Sequence, residues 1–147
     1  MSAANGYNPM RWDCEHRGCW KVKCSPNIEY FAGALPRKIA MTDLDGTVEV
    51  NGSFLFLEWK SYAGDIPTGQ RIYFERLTAL SDKITAVVVA GDPDTMQVDA
   101  IRRIYKGRIS DWIECDLEGL FERIRNWSTK VDIQAVPSGA QRKARAA

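Results

Sequence analysis

Between Met41 and Lys60 lie an alternating polar/apolar run and a second, more apolar run, and Asn51-Gly52 separates the two. Asn-Gly flanked by alternating runs predicts a β-hairpin, because a type I′ turn needs positive φ at both central positions. A two-residue loop there sets Val50 opposite Ser53 and, counting outward, Asp45 opposite Glu58 and Asp43 opposite Lys60. Successive side chains in a strand point to opposite faces, so Asp43, Asp45, Glu58 and Lys60 are expected on one face. Leu44, Val48, Val50, Leu55, Leu57 and Trp59 are expected on the other, as core.

The rest of the chain has a clear rhythm. Ser25-Pro26 reads as a helix start, Ser as N-cap and Pro at the first helical position, with the helix ending near Gly33 and the first hairpin strand starting near Lys38. Ala63 to Pro67 is turn-rich, and Thr68 is expected to cap a second helix carrying Ile72, Tyr73, Leu77 and Leu80 at helical spacing. Ile84 to Ala90 is a continuous, largely β-branched run, the pattern of a strand buried on both faces, and it stops at the turn Gly91-Asp-Pro-Asp94. Weaker strand patterns follow around Thr95 to Ile101 and Ile109 to Cys115. Asp116 should cap a final helix with the stripe Leu117, Leu120, Phe121, Ile124 and Trp127. Residues 1 to about 12 lack periodicity, and the chain from Pro137 is polar and basic. The order predicts an α/β fold, a mixed central sheet flanked by helices. We divide it into a basic Cys/His segment (1–24), one core domain (25–132) and a basic tail (133–147).

At 147 residues with 45% hydrophobic residues, the chain is long enough for one cored domain. Its longest apolar stretch, Ile84 to Ala90, is strand length, so no membrane partner and a cytoplasmic location are the expectations. Net charge is only +1, but its distribution is uneven. Arg11, Arg17, Lys21, Lys23, Arg37 and Lys38 make the front basic, Arg142, Lys143 and Arg145 the tail, while Asp43, Asp45, Glu49 and Glu58 fall between them. Acids framed by cations suit a metal site that acts on a phosphate backbone.

The chemistry centres on the hairpin. Two carboxylates directly across a ladder repel unless a cation lies between them. A strand ending in Asp, a hairpin turn, a strand bearing Glu58-Trp59-Lys60, then a helix and a further strand resembles the PD-(D/E)XK nuclease superfamily. The resemblance extends over residues 26 to 90 and is nearest to small phage and prophage members. It implies a restriction-endonuclease-like αβββαβ core and Mg²⁺-dependent (or Mn²⁺-dependent) hydrolysis of phosphodiester bonds, with DNA as the nucleic-acid partner. By the same resemblance, Asp45, Glu58 and the Trp59 carbonyl would ligate the metal, with Asp43 and Glu29 as further candidates. Lys60 would position the attacking water, and Gln70, Arg71 and Arg76 would reach the nucleic acid. A homodimer is a further expectation of the resemblance.

Two other readings use the same residues. Ile39 to Thr47, an apolar run ending in Asp43-Leu-Asp45-Gly-Thr, also resembles the first motif of haloacid-dehalogenase-like phosphatases, with Asp43 as nucleophile and Asp45 as general acid. The alternation continuing straight into a second strand argues against it. The third reading is a nuclease fold that binds nucleic acid without cutting it. Separately, Cys14, His16, Cys19 and Cys24 offer four soft ligands for a structural Zn²⁺, although their spacing is not a paired Cys-x₂-Cys pattern. Arg17, Lys21 and Lys23 around them are candidate nucleic-acid contacts.

Overall fold

A computed structural model describes residues 27–133. The chain divides into two compact units, Met1–Asp43 and Leu44–Ala147. In the first, the described residues form a 3₁₀ helix, Ile28–Ala34, capped by Asn27, whose side chain accepts from the Glu29 N–H at 3.2 Å. The cap therefore falls on Asn27, and Ser25-Pro26 lies outside the described residues. This short element buries none of its residues, which fits a tight 3₁₀ turn better than an α-helix needing an apolar stripe.

The described residues of the second unit form a mixed six-stranded sheet with a helix against each face. The strands are β1 (Gly46–Val50), β2 (Ser53–Lys60), β3 (Ile84–Asp92), β4 (Gln97–Tyr105), β5 (Arg108–Ile109) and β6 (Ile113–Glu114). The order is β1-β2-β3-β4-β5, with β6 also on β4. Helix α1 (Thr68–Ala79) connects β2 to β3, which run parallel, while the other strand pairs are antiparallel. Helix α2 (Leu117–Asp132) is the last element among the described residues. Two strands stand between the 3₁₀ helix and α1, one fewer than an αβββαβ order has. Among the described residues no helix is long and apolar enough to cross a membrane.

The hairpin register is the expected one: Val50 pairs with Ser53, Val48 with Leu55 and Gly46 with Leu57. Asn51 and Gly52 both take positive φ, at 51° and 84°, as a type I′ turn requires. The Asn51 amide also donates to the Val131 carbonyl at 2.8 Å, fastening the end of α2 to the hairpin tip.

The ladder nevertheless stops at Gly46. Residues 38–44 carry no strand, so β1 begins eight residues later than the pattern places it, and neither Asp45–Glu58 nor Asp43–Lys60 is a ladder pair. The cause is local. The Phe54 N–H donates to Lys83 on the β3 side, so the N–H groups of alternate residues, Trp59 among them, point toward β1. There the Asp45 carboxylate takes the Trp59 N–H at 2.6 Å, the bond a continued strand would have given to a carbonyl.

Both faces of β2 and β3 are covered. Phe56 packs on the α1 side with Phe74, Ala86, Val88 and Ile104; Leu57 and Trp59 pack on the α2 side with Val89, Ile101 and Leu120. Val88 and Val89, adjacent in sequence, are each 0% exposed, which explains the unbroken apolar run of β3. The expectation of one core face is thus corrected: Leu44 joins the α1-side core, whereas Val48 on the edge strand is 45% exposed. At the far end of α1, the buried Thr78 hydroxyl donates to the Phe74 carbonyl (2.8 Å) and accepts from the Gly107 N–H (3.1 Å). Lys106 and Gly107, both at positive φ, make a second type I′-like turn between β4 and β5.

Candidate metal centre

Alternation along β2 turns Glu58 to the same side as Phe56, toward α1, where an acidic side chain has little access to water: the residue is 9% exposed. Its neighbours are polar and few. Gln70, in the first turn of α1, donates from Nε2 to Glu58 Oε1 at 2.6 Å, and Lys60 Nζ lies 3.6 Å from the same oxygen. The second oxygen, Glu58 Oε2, is buried and has no hydrogen-bond partner, and neither has the buried Gln70 Oε1. Burial raises the Glu58 pKa above its ordinary value, the negative charge of Asp45 raises it further, and Gln70 and Lys60 pull the other way.

Asp45 reaches this carboxylate by a different route from the ladder pairing that the sequence predicts. It sits in the bend ahead of β1, and its Oδ2 holds the Trp59 N–H. That single bond anchors an exposed acid beside the buried one, one residue along from it, and leaves the other Asp45 oxygen open. In extended backbone a residue's N–H and C=O point to the same edge, so the Trp59 carbonyl also leaves β2 toward Asp45. The Trp59 indole is fixed separately, donating from Nε1 to the Gly91 carbonyl at 2.8 Å.

Four of the expected residues are therefore brought together: Asp45, Glu58, Lys60 and Gln70. Gln70 holds Glu58 directly, a contact that sequence reading missed; its place early in the helix after Glu-x-Lys was the only signal. Arg71 is engaged with Glu75 at 3.4 Å along α1, and Arg76 is exposed in the last turn of that helix. Asp43 and Glu29 belong to the first unit. Cys14, His16, Arg17, Cys19, Lys21, Lys23 and Cys24 lie outside the described residues.

The donor set suits a hard divalent cation. Among the described residues no group of three or more His, Cys, Asp or Glu side chains converges, so an all-protein cage of Zn²⁺ or Ca²⁺ type is not formed there. Two carboxylates with open positions are what Mg²⁺ ordinarily takes, since it keeps several waters and needs only one or two acids. A cation between Asp45 and Glu58 would give the orphaned Oε2 its missing partner and offset the mutual repulsion. Compared with protein-family models, with curated proteins and with solved structures, the chain finds no match.

Proposed function

We propose that this chain is a metal-dependent nuclease that hydrolyses phosphodiester bonds, with DNA as substrate, built on a variant of the PD-(D/E)XK arrangement. The observation that carries the reading is Glu58: a buried carboxylate with one oxygen unpartnered, an acid beside it, and a lysine two residues on. A folded chain tolerates an unpaired buried carboxylate poorly, and sites where burial and a like charge together perturb a pKa are disproportionately functional. The resemblance of Asp45 and Glu58-Trp59-Lys60 to the superfamily's motif gives the site its chemistry.

In this reading Asp45, Glu58 and the Trp59 carbonyl would hold Mg²⁺ or Mn²⁺. Bound there, the ion would polarise the scissile phosphate and make a nearby water more acidic. The chain's own groups do the rest. Gln70 keeps Glu58 from rotating away, through its 2.6 Å bond to Oε1. Lys60, with a side chain 28% exposed, has the reach to leave Glu58 Oε1 for a phosphate oxygen or for the attacking water. Its ammonium orients that water and offsets the negative charge that develops on the phosphate. The Trp59 N–H orients Asp45 from behind, as an outer hydrogen bond orients a metal ligand.

The test is a cleavage panel of linear, nicked, branched and single-stranded DNA, plus RNA, run with Mg²⁺ and with chelator. The reading predicts cleavage of at least one substrate that chelator abolishes; no cleavage of any, or cleavage indifferent to chelator, refutes it.

A further inference from the structure

The face of the sheet away from Glu58 carries a recess. Helix α2 runs from the start of β4 to the hairpin tip, where Asn51 holds it. It leaves one corner of the sheet uncovered, and a groove of about 540 Å³ lies there. Its floor is apolar, made by Leu55, Val87 and Ile101; its rim carries Arg103, Arg123 and Lys130, with the half-buried Trp127 between the last two. An adjoining recess shares Arg103, Trp127 and Lys130 and adds Lys83 and Tyr105. Among the described residues none of Arg103, Arg123, Lys130 or Lys83 has a carboxylate within ion-pair distance. Among the described residues, only Asp82 brings an acid to the lining of either recess.

We infer that this groove binds a short stretch of single-stranded nucleic acid, as a second site separated from the metal centre by the thickness of the sheet. Cations without carboxylate partners, on a surface that also offers an indole and an apolar floor, match a strand whose phosphates are charged and whose bases have apolar faces. Spacing agrees. Arg123 and Lys130 are seven residues apart, about 10.5 Å along the helix, the length of roughly three stacked nucleotides at ~3.4 Å each. Trp127 lies between them on the same stripe of α2, where a base can stack while phosphates meet the cations on either side. Charge also argues against the chain's own ends as occupants. The tail carries Arg142, Lys143 and Arg145, and the front segment Arg11, Arg17, Lys21 and Lys23, so each would meet a rim of its own sign.

This inference rests on the proposed action on nucleic acid, but its test does not depend on cleavage. The probe is a fluorescein-labelled oligothymidylate, followed by anisotropy in excess chelator with the full chain. Wild type should bind it, with affinity falling steeply as salt rises. Arg123→Glu with Lys130→Glu, both at exposed positions, should weaken binding by roughly tenfold or more with an unchanged Tm. Trp127→Phe should weaken it by a smaller factor. No binding by wild type, or equal binding by the charge-reversed variant, overturns the inference. So does equal competition by polyglutamate, which would make this an acidic-polypeptide site, or a charge-reversed variant that turns a dimer into a monomer. A wild type that binds through the groove yet cleaves nothing would sink the nuclease reading and leave the groove standing.

Discussion

Glu58→Gln separates a metal centre from a structural polar network, because the two make opposite predictions. If Glu58, Lys60 and Gln70 exist to brace α1 against β2, removing the charge breaks an ion pair and a charged hydrogen bond, and the protein melts earlier. If the site is built for a cation, the metal-free protein carries an unsatisfied charge that the amide removes. The magnitude follows from the contacts. A buried carboxylate oxygen without a partner, here Oε2, costs about 1–3 kcal/mol. Weakening the Gln70 bond and losing a partly exposed Lys60 pair at 3.6 Å returns about 1 kcal/mol. The net expectation is a gain of about 1 kcal/mol without metal, an upward Tm shift of roughly 2–5 °C for a domain of this size. Metal reverses the order: at a hundredfold excess over Kd, Mg²⁺ adds about 2.7 kcal/mol to the wild type and little to the variant. The pH dependence has a definite sign. The folded pKa of Glu58 lies above its ordinary value of 4.5, so its stabilising contribution is complete below that value and is lost as pH rises through the raised one. The variant's advantage should therefore open as pH climbs toward neutral and close in acid. Scanning calorimetry over a pH series, with Mg²⁺ and with chelator, reads all of this. A variant that melts below wild type at neutral pH without metal, and that responds to Mg²⁺ as wild type does, would make Glu58 part of a structural network and not of a cation site.

Lys60→Ala should abolish cleavage while leaving Mg²⁺ binding and Tm nearly unchanged, and undiminished cleavage would remove Lys60 from the mechanism. Asp45→Asn should weaken Mg²⁺ or Mn²⁺ binding at least tenfold by titration calorimetry, and an unaltered affinity would undo its assignment as a ligand. Asn51→Ala should cost about 1–2 kcal/mol in urea unfolding, because it removes the bond to the Val131 carbonyl and sets a Cβ residue at φ 51° without the asparagine amide. No loss of stability there would mean that the hairpin tip does not secure α2.

The hairpin shows how far pattern alone reaches. Asn51-Gly52 and the alternation around it fixed the register to the residue, because a two-residue loop leaves no other pairing. Asp116 capped the last helix as its sequence implied, its carboxylate accepting from the Gly119 N–H at 2.8 Å. Where β1 begins was not legible, since the deciding event is one side chain substituting for a backbone acceptor at Trp59. Ladder counting therefore brought Asp45 to Glu58 for an incomplete reason. The burial of Glu58 was equally hidden: it depends on α1 crossing that face and presenting Gln70, a long-range contact that no local spacing encodes. Strand β4 was harder still, because Arg102 and Arg103 interrupt its apolar pattern. Arg102 is satisfied by the Ser110 carbonyl at 2.8 Å and by the Trp112 ring, so a charged side chain sits in a strand without cost to the core. The groove beside α2 arises from the helix's diagonal path, which its heptad-like stripe did not disclose.

The most direct measurement is an anomalous-difference map from a crystal soaked in Mn²⁺. The expected result is a peak within about 2.5 Å of one oxygen of Asp45 and one of Glu58. A map with no peak there, with Glu58 Oε2 instead hydrogen-bonded to protein or water, would contradict it.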